Sequence, residues 1–217
     1  MKNIPVFTTE NGAASLILKE IPYTQTGYIK IQHTLEPEKL IGECVDFCKM
    51  VGAEQVFASN HPSLEAYPFH TALWRMTRSR EGLPDTDAAL FPVTEQIVGI
   101  WQSLYNRHMA QVPNFSYMTQ KDAAEMLERG DGYFIHRDQM LLGIGIASGE
   151  QIDGVIAVQP GAGEQVVLAL NHALSGEQVS LNVTSTNERA VRLYKRLGFI
   201  AVEELTRWYQ VYKKPEM

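Results

Sequence analysis

Apolar and polar positions alternate along residues 181–184, where Leu181 and Val183 face Asn182 and Thr184, the period of two expected of a strand. Beyond Asn187 the period changes. Ala190, Val191, Leu193, Tyr194 and Leu197 recur at helical spacing, so the segment predicts an amphipathic helix. Asn187 suits its N-cap, because a short polar side chain can accept from an otherwise unpaired first-turn N–H. Gly198 suits the left-handed residue that ends it, and Phe199 opens the next strand.

The same pattern predicts the rest of the chain. Residues 15–20 and 27–32 read as strands, 37–51 as a helix begun by Pro37 and stopped by Gly52, and 55–59 and 73–79 as strands. Charge, Gly and Pro then cluster without apolar periodicity in RSREGLPDTD, residues 78–87, which reads as a linker between residues 1–86 and 87–217. After it come a strand at Leu90 to Val93 and a helix capped by Thr94 with Ile97, Ile100, Trp101, Leu104 and Tyr105 on one face. Past Pro113 a second helix follows, opened by a Thr119 and Asp122 capping box and closed by Gly130. Strands at 132–136, 140–147 and 152–158, a helix at 163–174, and strands at 178–184, 199–203 and 205–212 complete the order.

Composition narrows the possibilities. With 217 residues and 45% hydrophobic content the chain can bury a substantial core, as one large domain or two small ones. It has no run of 18 apolar residues, and MKNIPVFTTENG lacks the basic and apolar regions of a secretory signal, so a cytoplasmic protein is expected. A formal charge of −6 disfavours nucleic acid and anionic membranes as partners, and points to small molecules. A homodimer is compatible with this profile. Cys44 and Cys48 lie on one face of the 37–51 helix, and His33 and His61 fall outside it with no zinc spacing, so we expect buried apolar thiols and no metal. Gly143-Ile144-Gly145 is not a dinucleotide fingerprint, because the chain continues as strand instead of opening a helix.

Leu181, Val183, Asn187, Ala190, Leu193, Tyr194, Gly198 and Phe199 stand in the order and offsets of the last motif of the GCN5-related N-acetyltransferase family, which this segment resembles. The element order of residues 88–213 agrees with that family. The resemblance implies an α/β (α+β) fold, with a mixed, mostly antiparallel central sheet flanked by helices and central strands splayed apart. It implies transfer of an acetyl group from acetyl-CoA, as co-substrate, to a primary amine of a small molecule or peptide. Tyr194 would be the general acid for the departing thiolate. Asn187 and Ala190 would contact the cofactor, whose pantetheine arm would take main-chain bonds around Ala157 and Val158. Residues 13–79 resemble a degenerate half copy of the same fold, with Asn60 and Tyr67 seven apart like Asn187 and Tyr194.

The chain departs from the family at the loop that wraps the pyrophosphate. Gln159-Pro160-Gly161-Ala162-Gly163-Glu164 keeps glycine but has no basic residue, and no Lys or Arg occurs between Arg137 and Arg189. Main-chain N–H groups of Gly161, Ala162, Gly163 and Glu164 at a helix N-terminus would still bind phosphate, although the Glu164 carboxylate competes for them. Arg189, Arg192, Lys195 and Arg196 would supply the missing charge. Asp153, His136 and His108 are candidates for the base that frees the amine. An acceptor pocket is expected around Pro113, Phe115, Tyr117 and Met118. The alternative is a non-catalytic acyl-CoA-binding or protein-interaction module whose loop has lost its basic residue.

Overall fold

The computed structural model describes residues 5–215. From the amino terminus it runs through β1 (Val6–Thr9), β2 (Gly12–Ile17), the single turn α1 (Ile21–Thr24), β3 (Thr26–Thr34), α2 (Pro37–Met50) and β4 (Gln55–Ser59). A 3-10 turn at Pro62–Ala66 leads to β5 (Phe69–Ser79), β6 (Ala89–Pro92), α3 (Val98–Met109), α4 (Gln120–Arg129) and β7 (Gly132–Arg137). The chain ends with β8 (Met140–Ser148), β9 (Gln151–Ala157), α5 (Gly163–Asn171), β10 (Gln178–Thr184), α6 (Glu188–Arg196) and β11 (Ile200–Lys213). Among the described residues no helix is long and apolar enough to cross a membrane.

Two compact units form, Met1–Ala72 with Leu205–Met217, and Leu73–Glu204. The division differs from a break in the 78–87 stretch, because it falls inside β5 and β11. Each unit completes its sheet with strand from a distant part of the chain. In the first, β4 pairs antiparallel with residues 209–213 of β11. In the second, β10 pairs antiparallel with residues 73–79 of β5. Local periodicity does not reveal which strands pair, so composition placed the boundary at the charged stretch instead. That stretch is tied down within the second unit: the Arg80 guanidinium donates to the Asn171 side chain and to the carbonyls of Asn171, Leu174 and Gly176.

In the second unit β6, β7, β8 and β9 pair antiparallel in order, and β9 meets β10 in parallel. One face carries α3 and α4, packed through the fully buried Trp101 and Met126 with Ile144 and Ile156. The other carries α5 and α6, packed through Val166, Leu170, Val191 and Tyr194 on Leu181 and Val183. The Gly143 and Gly145 spacing belongs to this packing: a Cβ at Gly143 would lie 2.6 Å from Val166, and one at Gly145 2.4 Å from Leu170. The first unit pairs β1, β2, β3 and β4 in order, with β3 and β4 parallel and α2 as the crossover. Cys44 and Cys48 are free, fully buried thiols in its core.

Three sequence expectations are corrected. The helix expected from Thr94 begins at Val98, because the backbone of Ile97, at φ −121° and ψ 0°, is not helical and residues 95–97 form turns instead. The two last strands are one, β11, because residues 200–213 contain no Gly or Pro to break them. The helix expected over 163–174 stops at Asn171, where the Arg80 clamp takes the Asn171 and Leu174 carbonyls. The Thr119 capping box and the Gly130 left-handed cap are present as read.

Candidate functional site

β9 and β10 are bonded only at Ser180 with Gln151 and Leu181 with Ile152, and beyond that they part. A β-bulge in β9 lies at the point of parting: Ile152 pairs with Ala147 and Gly154 with Ile146, leaving Asp153 without a partner in β8. The bulge reverses the facing of the strand. Ile152 packs on the α5 side and Ile156, four residues on, packs on the α3 side. Beyond the bulge Ile156 and Val158 exchange main-chain bonds with β8, and the Val158 N–H donates to the Leu142 carbonyl at 2.9 Å. The intervening Val155 and Ala157 therefore turn their N–H and C=O groups toward the gap.

The loop after β9 enters α5 through Gly161 at φ 84°, where an added Cβ would meet nothing within 4 Å. Ala162 is the N-cap and supplies no side-chain acceptor, so the N–H groups of the first turn of α5 are left for another partner. Facing this turn is α6. Asn187 caps it, its side-chain oxygen accepting from the Ala190 N–H at 3.2 Å. The helix ends in a Schellman arrangement, with Phe199 N–H donating to the Tyr194 carbonyl and Gly198 N–H to that of Lys195. Arg78 of β5 also donates to the Leu197 carbonyl, which holds the helix end against the sheet.

Two cavities open into the gap. A larger one of about 360 Å³ runs between β9, the α5 turn and α6, with Ala157, Gly161, Gly163, Glu164, Asn187, Ala190 and Tyr194 on its wall. A smaller one of about 230 Å³ lies between β9, β10 and the loop after α3, with Asp153, Asn182, Thr184, Pro113, Phe115 and Ser116 on its wall. Asn187, Ala190 and Tyr194 line both. Of the residues singled out in the sequence, Val158 and Ala162 line neither: the first is bonded into the sheet and the second is buried under the helix it caps.

Tyr194 is 6% exposed, stands edge-on to Phe199 and is held as a phenol by burial, which pushes its pKa up. The Asp153 carboxyl is also pushed above its usual range, first by desolvation and then by the negative charge of Asp131, with Arg129 pulling the other way. Positive charge in the larger cavity comes from α6, where Arg189, Arg192 and Arg196 reach its wall and Lys195 does not. Arg196 approaches the Glu164 carboxylate at 3.9 Å, which occupies the acid that would otherwise face the α5 N-terminus. Of the three candidate bases, Asp153 reaches the smaller cavity and His108 the larger, whereas His136 stacks edge-on with Phe91 elsewhere. Pro113 and Phe115 reach the smaller cavity. Met118 turns into the core, its backbone held by Asn106 and Gln102.

The sequence missed Met109 and Val112, at the end of α3 and just after it, which line both cavities. Helical spacing marks such residues only as apolar, and nothing local says that they wall a gap between strands.

A family model described as FR47-like protein matches residues 157–209. Curated proteins give no match by sequence. Among solved structures, a functionally unknown conserved protein from Staphylococcus epidermidis ATCC 12228 aligns with a TM-score of 0.60 and 14% identity, over 97% of this chain and 94% of its own. A GCN5-related N-acetyltransferase from Sphaerobacter thermophilus aligns at 0.55 and 14%, over 94% of this chain and 78% of its own. A tandem GNAT protein from the clavulanic acid biosynthesis pathway aligns at 0.51 and 13%, over 95% of this chain and 80% of its own.

Proposed function

From a fold like that of GCN5-related N-acetyltransferases, we propose an enzyme that moves an acetyl group from acetyl-CoA to a primary amine. The observation that carries this reading is the meeting of two cavities at Tyr194, in the gap where β9 and β10 part after the Asp153 bulge. One cavity takes the donor and the other the acceptor. The protein acts in the cytoplasm on this reading.

The residues fit the donor. Pantetheine is an extended amide chain, and the outward main-chain groups of Val155 and Ala157 can bond it as a sheet edge bonds an added strand. The uncapped first turn of α5 offers N–H groups and the positive end of its dipole to the pyrophosphate. Arg189, Arg192 and Arg196 stand on the opposite wall in place of a basic residue in the loop. Asn187 keeps its side-chain oxygen on the Ala190 N–H, which leaves its amide NH₂ to the donor.

In the reaction the neutral amine attacks the thioester carbonyl carbon, the C–N bond forms and the C–S bond breaks. Asp153 takes the proton lost by nitrogen, directly or through one water, and its raised pKa brings it nearer the operating pH than an ordinary carboxylate. Tyr194, kept as a phenol, donates to the departing sulfur. Calorimetry with acetyl-CoA and desulfo-CoA, followed by thiol release across a panel of amines, tests the reading. Binding together with thiol release supports it. Binding with no release to any amine replaces it with the acyl-CoA-binding module.

A further inference from the structure

The smaller cavity has two chemical marks. Among the described residues that line it, Asp153 is the one charged side chain, and no Lys, Arg or His reaches its wall. Thr184 at the end of β10 also lines it, is 8% exposed, and carries a buried Oγ1 with no hydrogen-bond partner. An unpaired buried hydroxyl costs roughly 1–3 kcal/mol, so its retention calls for a partner that arrives with a ligand. A 120° rotation about χ1 carries Oγ1 to another staggered position, so the hydroxyl can reorient when an acceptor fills the cavity.

The strand register places these marks apart. Ile152 is level with Leu181, so Asp153 lies near the level of Asn182, and Thr184 stands two residues further along β10, about 7 Å at the usual rise per residue. That separation matches an amine and a second polar group joined by two or three bonds.

We propose that Thr184 is a specificity residue of this cavity and that the acceptor is a small cationic amine bearing a neutral hydrogen-bonding group, such as an amide or hydroxyl, and no free carboxylate. The assignment rests on reading the cleft as an acyltransferase site. Asp153 attracts the ammonium form and repels a carboxylate, which would find no cation on the wall. Thr184 Oγ1, both donor and acceptor, takes the neutral group and is no longer unpaired.

The test uses the full-length protein and three amines of similar length: β-alaninamide, n-butylamine and β-alanine. Each is compared for acetyl-CoA-dependent thiol release and for binding by calorimetry, in the native chain and in Thr184→Val. Valine keeps the shape and removes the orphan hydroxyl, so the variant should unfold at the same or a higher temperature. We expect the native protein to favour β-alaninamide over n-butylamine by about tenfold or more, and n-butylamine over β-alanine. Thr184→Val should lower the affinity and kcat/KM for β-alaninamide about tenfold and leave n-butylamine within about twofold. Equal treatment of β-alaninamide and n-butylamine, or a loss in Thr184→Val that is the same for both, overturns the assignment. Absence of binding by all three overturns it too. Selective β-alaninamide binding without thiol release from any amine upholds Thr184 and counts against the acyltransferase reading alone.

Discussion

Burial raises the pKa of the Tyr194 phenol, so the hydroxyl stays protonated throughout the neutral range and is a permanent donor. A thiolate with a pKa of about 8.5 leaves tolerably well unaided. Tyr194→Phe should therefore lower kcat by about 10²-fold, the low end for general acid catalysis, with the thermal midpoint little changed. An unchanged kcat in thiol release removes Tyr194 from the mechanism. Asp153 gives the pH dependence. A base works only when deprotonated, and its raised pKa means that kcat/KM falls with acid at a higher pH than an ordinary aspartate would impose. Asp153→Asn should abolish that limb. A limb that survives the substitution assigns the base to another group. At this scale the sequence was informative about Asn187 and Tyr194, whose offsets are visible in one helix. Thr184 was visible only as the polar half of an alternation, since an unpaired hydroxyl is a property of its surroundings.

The elements of the site owe their geometry to packing. α5 approaches β8 closely over Gly143 and Gly145, and a Cβ at Gly143 would also sit 2.3 Å from the Ile156 carbonyl oxygen, on the strand that walls the cleft. Gly143→Ala should destabilise the protein by about 1–3 kcal/mol in urea unfolding, because backbone must shift to admit the methyl group. A loss below a few tenths of a kcal/mol would show that the strand yields freely. In α2, burial raises the Cys44 thiol to about 12, with Cys48 and Glu43 adding to it, and Cys48 to about 11. Both stay neutral in the fold while the unfolded chain ionises near pH 9, so their contribution is whole below that pH and is lost as pH rises toward 11 and 12. Urea midpoints should fall across this range. Cys44→Ala with Cys48→Ala should flatten the fall while lowering stability at neutral pH, as measured by the same unfolding series.

At the scale of the whole molecule, the two units differ in the strand edge that they leave free. The first repeats the order of the second, two antiparallel strands, a parallel crossover helix and a returning strand. There β3 and β4 stay paired for all five residues from Gln55 to Ser59, and β9 and β10 for two. Asn60 is followed by a 3-10 turn where Asn187 caps a nine-residue helix. A zipped pair offers no free main-chain edge to a pantetheine arm, so calorimetry should give one acetyl-CoA per chain, and Asn60→Ala should leave its affinity unchanged. Two sites per chain would mean that the pairing of β3 and β4 opens. Periodicity and capping residues determined most elements and the motif of α6, because those follow from contacts within a few residues along the chain. Only the tertiary structure decided that the parting of β9 and β10 starts at a bulge leaving Asp153 unpaired, that residues 73–79 of β5 and 209–213 of β11 complete different units, and that Arg189, Arg192 and Arg196 but not Lys195 reach the cleft. Each of these depends on which distant strand or helix stands alongside, and a single sequence does not carry that information in its local pattern.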